Sequence, residues 1–219
     1  MSGGGCAGLL LAAGSGSRMG TPKALVRFED RLLVERGIDL LREGGCGPLV
    51  VVLGAAADEV RRQADLDGVD VVVAESWAEG MGASLRAGLT ALRGGACTAG
   101  AAVVALVDQP LVGAGAVERL IAAWRDGAPA AVASYGGAPR NPVLLDRALW
   151  HRIAEDASGD VGARPFLRAH PELVLDVPAD ETGAPDDVDT PEDLATALAR
   201  VGVAGRSEQR QPPVTSQEP

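Results

Sequence analysis

An α/β fold with a mostly parallel central sheet follows from two patterns in the sequence and one bound on its size. Short apolar runs recur at Leu9–Leu11, Leu49–Leu53, Val69–Val73, Ala101–Val107, Ala128–Ser134 and Leu173–Val177. Helical segments alternate with them, which is the signature of βαβ units and of a sheet covered on both faces. The 219 residues suffice for one such domain with a sizeable core.

In chain order, residues 1–6 form a glycine-rich leader expected to be disordered, 7–203 a single domain, and 204–219 a tail rich in Gln, Pro, Ser and Glu, also expected to be disordered. Leu9, Leu10 and Leu11 make the first strand. Leu32, Leu33, Gly37, Leu40 and Leu41 have helical spacing, with Gly44-Gly45 as the stop. Leu49–Leu53 is the second strand, Asp58–Ala64 a short polar helix and Val69–Val73 the third strand. From Gly82, Leu85 and Leu89 have helical spacing, so Ser84 lies near a helix N-terminus. Ala101–Val107 is the fourth strand and ends in Asp108-Gln109-Pro110. Ala116–Trp124 reads as a helix, Ala128–Ser134 as a strand, Tyr135–Leu145 as a loop leading into a further strand, and Asp146–Ile153 as a helix. After the strand at Leu173–Val177, Thr190 and Asp193 form a capping pair with Pro191 at the first helical position.

Composition removes several function classes. A formal net charge of −10 argues against wrapping nucleic acid. An aromatic content of 3% argues against stacking platforms for single strands. Cys6, Cys46 and Cys97 are odd in number and unclustered, with neither metal spacing nor a disulfide framework, which fits a reduced, cytoplasmic protein. The N-terminal run has no basic region and is too short for a signal peptide, and no run could span a membrane.

The chemistry concentrates after the first strand, in LLLAAGSGSRMGTPK. Gly14, Gly16 and Gly20, interleaved with Ser15 and Ser17, let successive N–H groups converge on an anion. Arg18 offers a planar fork for phosphate oxygens and Lys23 a compact charge. A plain tight turn leaves a similar pattern. There is no Gly-Lys-Ser/Thr, and Gly14-Ser15-Gly16 lacks the third glycine of the dinucleotide fingerprint. Asp108 stands where an open parallel sheet forms its ligand crevice, a position that suits a Mg²⁺ ligand and equally a helix cap. Ser84 can be a helix cap, and Asp160 an N-cap, on residue type alone.

This loop resembles the signature of the molybdenum-cofactor nucleotidyltransferases, L-A-A/G-G-x-S-x-R-M-G-x-x-K, at Leu11, Ala12, Ala13, Gly14, Ser17, Arg18, Met19, Gly20 and Lys23. Gly80, Met81, Ser84, Leu85 and Gly88 match a G-M-x-x-S-L/I-x-x-G segment, and Asp108 and Pro110 match G-D-x-P, with Val107 in place of the glycine. Gly159, Asp160, Gly162, Ala163 and Arg164 match S-G-D-x-G-A-R, which is expected to shape the pterin side. In G-H-P-V-L, Asn141 replaces the histidine and Arg140 the glycine before it. Asp189 precedes Thr-Pro as in D-I-D-T-P-E-D-L. The resemblance, to the cytidylyl branch of the MobA-like family, implies a three-layer, Rossmann-like nucleotidyltransferase fold. It implies that Leu11 to Arg18, Lys23, Ser84 and Asp108 bind the nucleotide, with Ser15 and Gly16 inside the loop. Arg18, Lys23 and Asp108 would be catalytic, and Mg²⁺ would sit on Asp108 and Asp189.

The implied reaction moves CMP from CTP onto the terminal phosphate of molybdopterin. GTP is the competing donor, and Ala13, where the guanylyl branch has glycine, speaks for CTP. A molybdoenzyme or chaperone partner and a monomer or weak dimer complete the expectation. Three other readings remain: a sugar-1-phosphate nucleotidyltransferase, a non-catalytic nucleotide-binding accessory protein and, furthest from the residues, a dinucleotide-dependent oxidoreductase.

Overall fold

The computed structural model describes residues 4–94 and 97–208, with side chains to 202. A seven-stranded sheet is built from β1 (Cys6–Ala12), β4 (Leu49–Leu53), β5 (Asp70–Val73), β6 (Ala101–Leu106), β7 (Ala130–Tyr135), β8 (Ala138–Asp146) and β9 (Val174–Pro178). A two-stranded ribbon of β2 (Arg27–Phe28) and β3 (Arg31–Leu32) lies outside it. The sheet order is β5-β4-β1-β6-β8-β7-β9. β1 pairs in parallel with β4 and β6, β4 with β5, and β7 with β9, whereas β8 runs antiparallel to both β6 and β7. The sheet is therefore mostly parallel, with one reversed strand in its middle.

The helices are α1 (Leu33–Glu43), α2 (Ala57–Gln63), α3 (Met81–Gly94), α4 (Ala114–Arg125), α5 (Trp150–Asp156), α6 (Arg164–Ala169) and α7 (Pro191–Glu208). Side chains alternate across each strand, so β1 sends Leu10 and Ala12 into a core with α1 and α4 and sends Leu9 and Leu11 into a core with α3 and α5. Close approach on both faces depends on glycine. A Cβ at Gly37 of α1 would stand 2.6 Å from the Leu10 side chain, and one at Gly88 of α3 would stand 2.5 Å from that of Leu9. β1 is thus held between two helices at the point where its chain enters the loop.

The expected elements fall within a few residues of those observed, with three corrections. The stretch expected as a loop leading into a further strand, Tyr135–Leu145, is mostly strand already, because the turn at Gly136 and Gly137, both at positive φ, reverses the chain at once into the β7–β8 hairpin. The first strand already begins at Cys6, inside the expected leader, and α7 continues to Glu208, into the expected tail. The remainder of both terminal expectations, residues 1–3 and 209–219, lies outside the described residues. Cys6, Cys46 and Cys97 are free thiols. Among the described residues, no helix is long and apolar enough to cross a membrane.

Candidate active site

The site forms beyond the carboxyl ends of β1 and β6, where a ligand crevice belongs in an open α/β sheet. β1 delivers the chain at Ala12, and the turn that follows needs glycine. Gly16 sits at φ +63, and a side chain there would run into the Thr21 carbonyl. A Cβ at Gly14 would instead point into open space. Met19 N donates to Gly16 O at 2.9 Å and closes the turn. A one-turn helix at Lys23–Leu25 then buries Ala24 and Leu25, which anchors the base of Lys23.

β6 delivers Asp108, and a distant segment returns to meet it. Val188 N donates to Asp108 O at 2.7 Å, and the Val188 side chain is buried in the core. Its neighbours diverge from there. Asp189 reaches Lys23, while Asp187 Oδ1 accepts from Gln109 Nε2 at 2.9 Å. Gln109 is itself buried and also donates to Pro185 O at 3.2 Å. The acids before the helix cap thus divide their work, Asp186 pairing with Arg200 at 2.6 Å on the surface. Thr190 and Asp193 form the expected reciprocal cap, with Thr190 N donating to Asp193 Oδ2 at 2.9 Å and Asp193 N to Thr190 Oγ1 at 3.2 Å.

The result is an acid–lysine–acid centre. Lys23 Nζ donates to Asp108 Oδ2 at 2.6 Å and to Asp189 Oδ1, while Arg18 Nη2 pairs with Asp189 Oδ2 at 2.9 Å. Burial alone would lower the Lys23 pKa, but the carboxylates of Asp108 and then Asp189 more than offset it and hold it above the usual lysine value. The hydrogen bond from Lys23 holds Asp189 below the usual carboxylate range against its partial burial, and Arg18 adds to this. Burial and the nearby Asp108 charge push Asp187 up.

A cavity of about 520 Å³ opens beside this centre. Leu11, Ala13, Gly14, Ser15, Ser17, Arg18, Lys23, Ser84 and Asp108 line it, and Ser84 is almost wholly buried. Ala12 and Gly16 are not in its wall: the Ala12 side chain packs in the core on the other face, and Gly16 makes the turn. Asp189 stands behind Lys23 rather than in the wall. Val107, which departs from the motif's glycine, packs in the core and also reaches the wall.

Trp77 and Asp160 stand in the wall without having been assigned to it from the sequence. Trp77 lines it beside Ala13, and a Cβ at Gly54 would meet Ala13 Cβ at 2.8 Å and Trp77 Cβ at 2.7 Å. The signal available was a tryptophan just before the Gly-Met motif in an aromatic-poor chain. Asp160 was read as an N-cap or as part of the pterin side. The structure puts it in the one-turn helix Gly159–Val161 with Ser158 at the cap position, and its carboxylate lies against Gly80 in the wall of this cavity. The motif around it divides, because Arg164 lines a second cavity, of about 550 Å³, which includes Arg140, Asn141 and Gln109.

These features define the class: the three-layer, Rossmann-like nucleotidyltransferase fold, with a cationic loop after the first strand. The chain belongs to the MobA-like NTP transferase family, whose domain model matches residues 8–174. It is similar to the nicotine blue oxidoreductase of Paenarthrobacter nicotinovorans, at 40% identity over 198 residues, 87% of this chain and 95% of that protein. It is also similar to a probable molybdenum cofactor guanylyltransferase of Opitutus terrae, at 34% identity over 133 residues, 60% of this chain and 61% of that protein. Among solved structures, Rv0371C of Mycobacterium tuberculosis H37Rv in complex with manganese superposes with a TM-score of 0.74 at 31% identity, covering 89% of this chain and 98% of that one.

Proposed function

We propose that this protein is a divalent-metal-dependent nucleotidyltransferase that moves CMP from CTP onto the terminal phosphate of a molybdopterin-type acceptor and releases pyrophosphate. The observation that carries this reading is the convergence of Asp108 and Asp189 on Lys23 beside the glycine loop. The donor set fits a small hard cation: Mg²⁺ takes one or two carboxylates and completes its shell with water and substrate oxygens. Asp108 and Asp189 would hold such an ion, which would neutralise charge that develops on the phosphate oxygens. The manganese in the related Rv0371C structure supports a divalent cation here.

The remaining work falls to the chain. Arg18 grips the β- and γ-phosphates through its fork, and Lys23 faces the α-phosphate. The loop fixes the triphosphate so that an acceptor oxygen lies in line with the α-phosphorus. A bond forms from that oxygen to the α-phosphorus, the α–β bridging P–O bond breaks, and pyrophosphate leaves with the electron pair. A phosphate monoester is already largely ionised near neutral pH, so the step needs no protein base, and neither His151 nor His170 lines either cavity. The Ala13 methyl, in the cavity wall where the guanylyl branch has glycine, supports CTP over the larger GTP.

The test is nucleotide-dependent pyrophosphate release, with and without molybdenum-loaded pterin, run with CTP and GTP in parallel. CTP turnover that disappears in Asp108→Ala is expected. Equal use of GTP removes the cytidylyl preference, and turnover on a sugar 1-phosphate without pterin redirects the acceptor. A second reading is favoured by the 40% likeness to a protein named an oxidoreductase: a reduction that draws its electrons from a nicotinamide dinucleotide. Oxidation of NADPH with an organic acceptor, with no pyrophosphate from any nucleoside triphosphate, would select it.

A further inference from the structure

The second cavity has a charge pattern that the centre at Lys23 does not use. Arg164 and Arg168 lie one turn apart on α6 and both line it, and Arg140 of β8 is the third guanidinium in its wall. Like charges at that helical spacing repel. Even so, among the described residues neither Arg164 nor Arg168 forms an ion pair or a hydrogen bond, and Arg140 reaches only its neighbour's carbonyl, Pro139 O, at 3.2 Å. This occurs in a chain of net charge −10, where carboxylates are plentiful. The acids in the same wall are Asp176 and Asp187, and the latter is engaged by Gln109. Three arginines without an acidic partner among the described residues line one concavity, and guanidinium is the side chain suited to planar, bidentate recognition of an anion.

The cavity is also tied to the reacting centre. Gln109 follows Asp108, and Asp187 lies two residues before Asp189, so the segments that carry the acid–lysine–acid centre also line this cavity, and the charges of Asp108, Asp189 and Lys23 all act on Asp187. Val132, Val143, Leu167 and Val174 give the cavity an apolar side suited to a ring. Its volume of about 550 Å³ is within the usual range for a small-molecule site.

We infer that this cavity is the acceptor subsite, and that Arg140, Arg164 and Arg168 together hold a second anionic group of the acceptor, separate from the phosphate that attacks. The acceptor class is then a ring-bearing molecule with its reactive phosphate at the Asp108–Asp189 end and another anion at the arginine end. This rests on the transferase reading for the word acceptor, but the anion site itself does not.

The test uses the whole chain and inorganic phosphate as probe, following the arginine Nε–Hε resonances by NMR, assigned through single Arg→Lys variants. The expected result is that the Arg140, Arg164 and Arg168 signals move together along one saturating curve, and that Arg164→Ala weakens the affinity read at the other two at least tenfold. Movement of the Arg18 signal alone, or three shifts that do not saturate, overturns the inference. In turnover, Arg164→Ala should raise KM for the acceptor at least tenfold and leave KM for CTP unchanged; an equal rise in both KM values counts against the subsite. A saturating arginine response in a protein that releases no pyrophosphate would sink the transferase reading and leave the anion site standing.

Discussion

The two halves of the sheet handle their cations in opposite ways. On the β5-β4-β1-β6 side, Arg18 and Lys23 are tied to Asp108 and Asp189 in one connected set. On the β8-β7-β9 side, Arg140, Arg164 and Arg168 line a cavity without a carboxylate partner among the described residues. The first half is a run of parallel strands with a glycine turn at its exit. The second contains the reversed strand β8, which brings Arg140 and Asn141, two departures from the family pattern, into the cavity wall. Paired charges hold a fixed arrangement of carboxylates, which suits chemistry common to many substrates, whereas unpaired guanidiniums are free to select one. In the proposed reaction the first half supplies transfer and the second half supplies choice.

The hardest blow to that division comes at Lys23. It is the only side chain of the set that touches both carboxylates, so Lys23→Ala leaves two acids opposed and, in the proposed reaction, removes the cation assigned to the transferred phosphate. Loss of one preorganised charge contact costs about 10²–10³ in kcat. The same variant should leave phosphate binding at Arg140 unchanged. Wild-type pyrophosphate release from Lys23→Ala would end the assignment of Lys23.

A smaller effect is expected where the two halves meet. Gln109→Leu keeps the bulk but removes both bonds that tie residues 185–187 to the end of β6. Losing a group bonded directly to a metal's ligand costs about 10–100-fold in metal affinity or activity; Gln109 acts one step further out, through the segment that leads to Asp189, so the low end of that range is expected. The measurement is the Mg²⁺ concentration for half-maximal turnover, which should rise. A lowered Tm with an unmoved metal requirement would make Gln109 a structural residue only.

Gly88→Val tests the scaffold rather than the site. The new side chain meets Leu9 and Val52 at 2.5–3.0 Å from its first carbon, an overpacking worth about 1–3 kcal/mol. In a chain of this size each kcal/mol lowers Tm by about 2–4 °C. Gly94→Ala, at the end of the same helix with nothing within 4 Å of the added carbon, is the control and should leave Tm nearly unchanged.

The first half was legible because its signals are local. Apolar runs give β4 and β6 nearly to the residue and the centre of β1, and the glycines, Arg18 and Lys23 follow one another in a single loop. The meeting of Asp108 with Asp189 was reached through the likeness to a family, since no local pattern connects residues eighty positions apart. What makes the pairing physical is the Val188–Asp108 backbone bond and the buried Val188 side chain, neither of which has a sequence signature. From the sequence, Tyr135–Leu145 is only a loop leading into a further strand; Gly-Gly and two prolines mark breaks, and the strand's full length as a hairpin partner depends on β6 and β7 lying on either side of it. Asp160 was misplaced for a similar reason. Its type favours a cap, while its position is set by the packing of residues 158–162 on Gly80, Met81 and Gly82.

The smallest expected effect tests whether the cap on α7 does more than start a helix. The Thr190 hydroxyl donates to Asp193 Oδ2 at 2.8 Å and accepts from Asp193 N, while Asp193 Oδ2 also accepts from Asp189 N at 3.2 Å. The cap therefore grips the backbone of the residue whose carboxylate binds Lys23. Thr190→Ala should cost about 1 kcal/mol of stability, the usual loss for such a cap, and Thr190→Ser should restore it. If the grip also orients Asp189, the alanine variant will need more Mg²⁺ for half-maximal turnover and the serine variant will not. A stability loss with the metal requirement unchanged would mean that the Val188 anchor alone positions Asp189, and that the helix cap belongs to the scaffold.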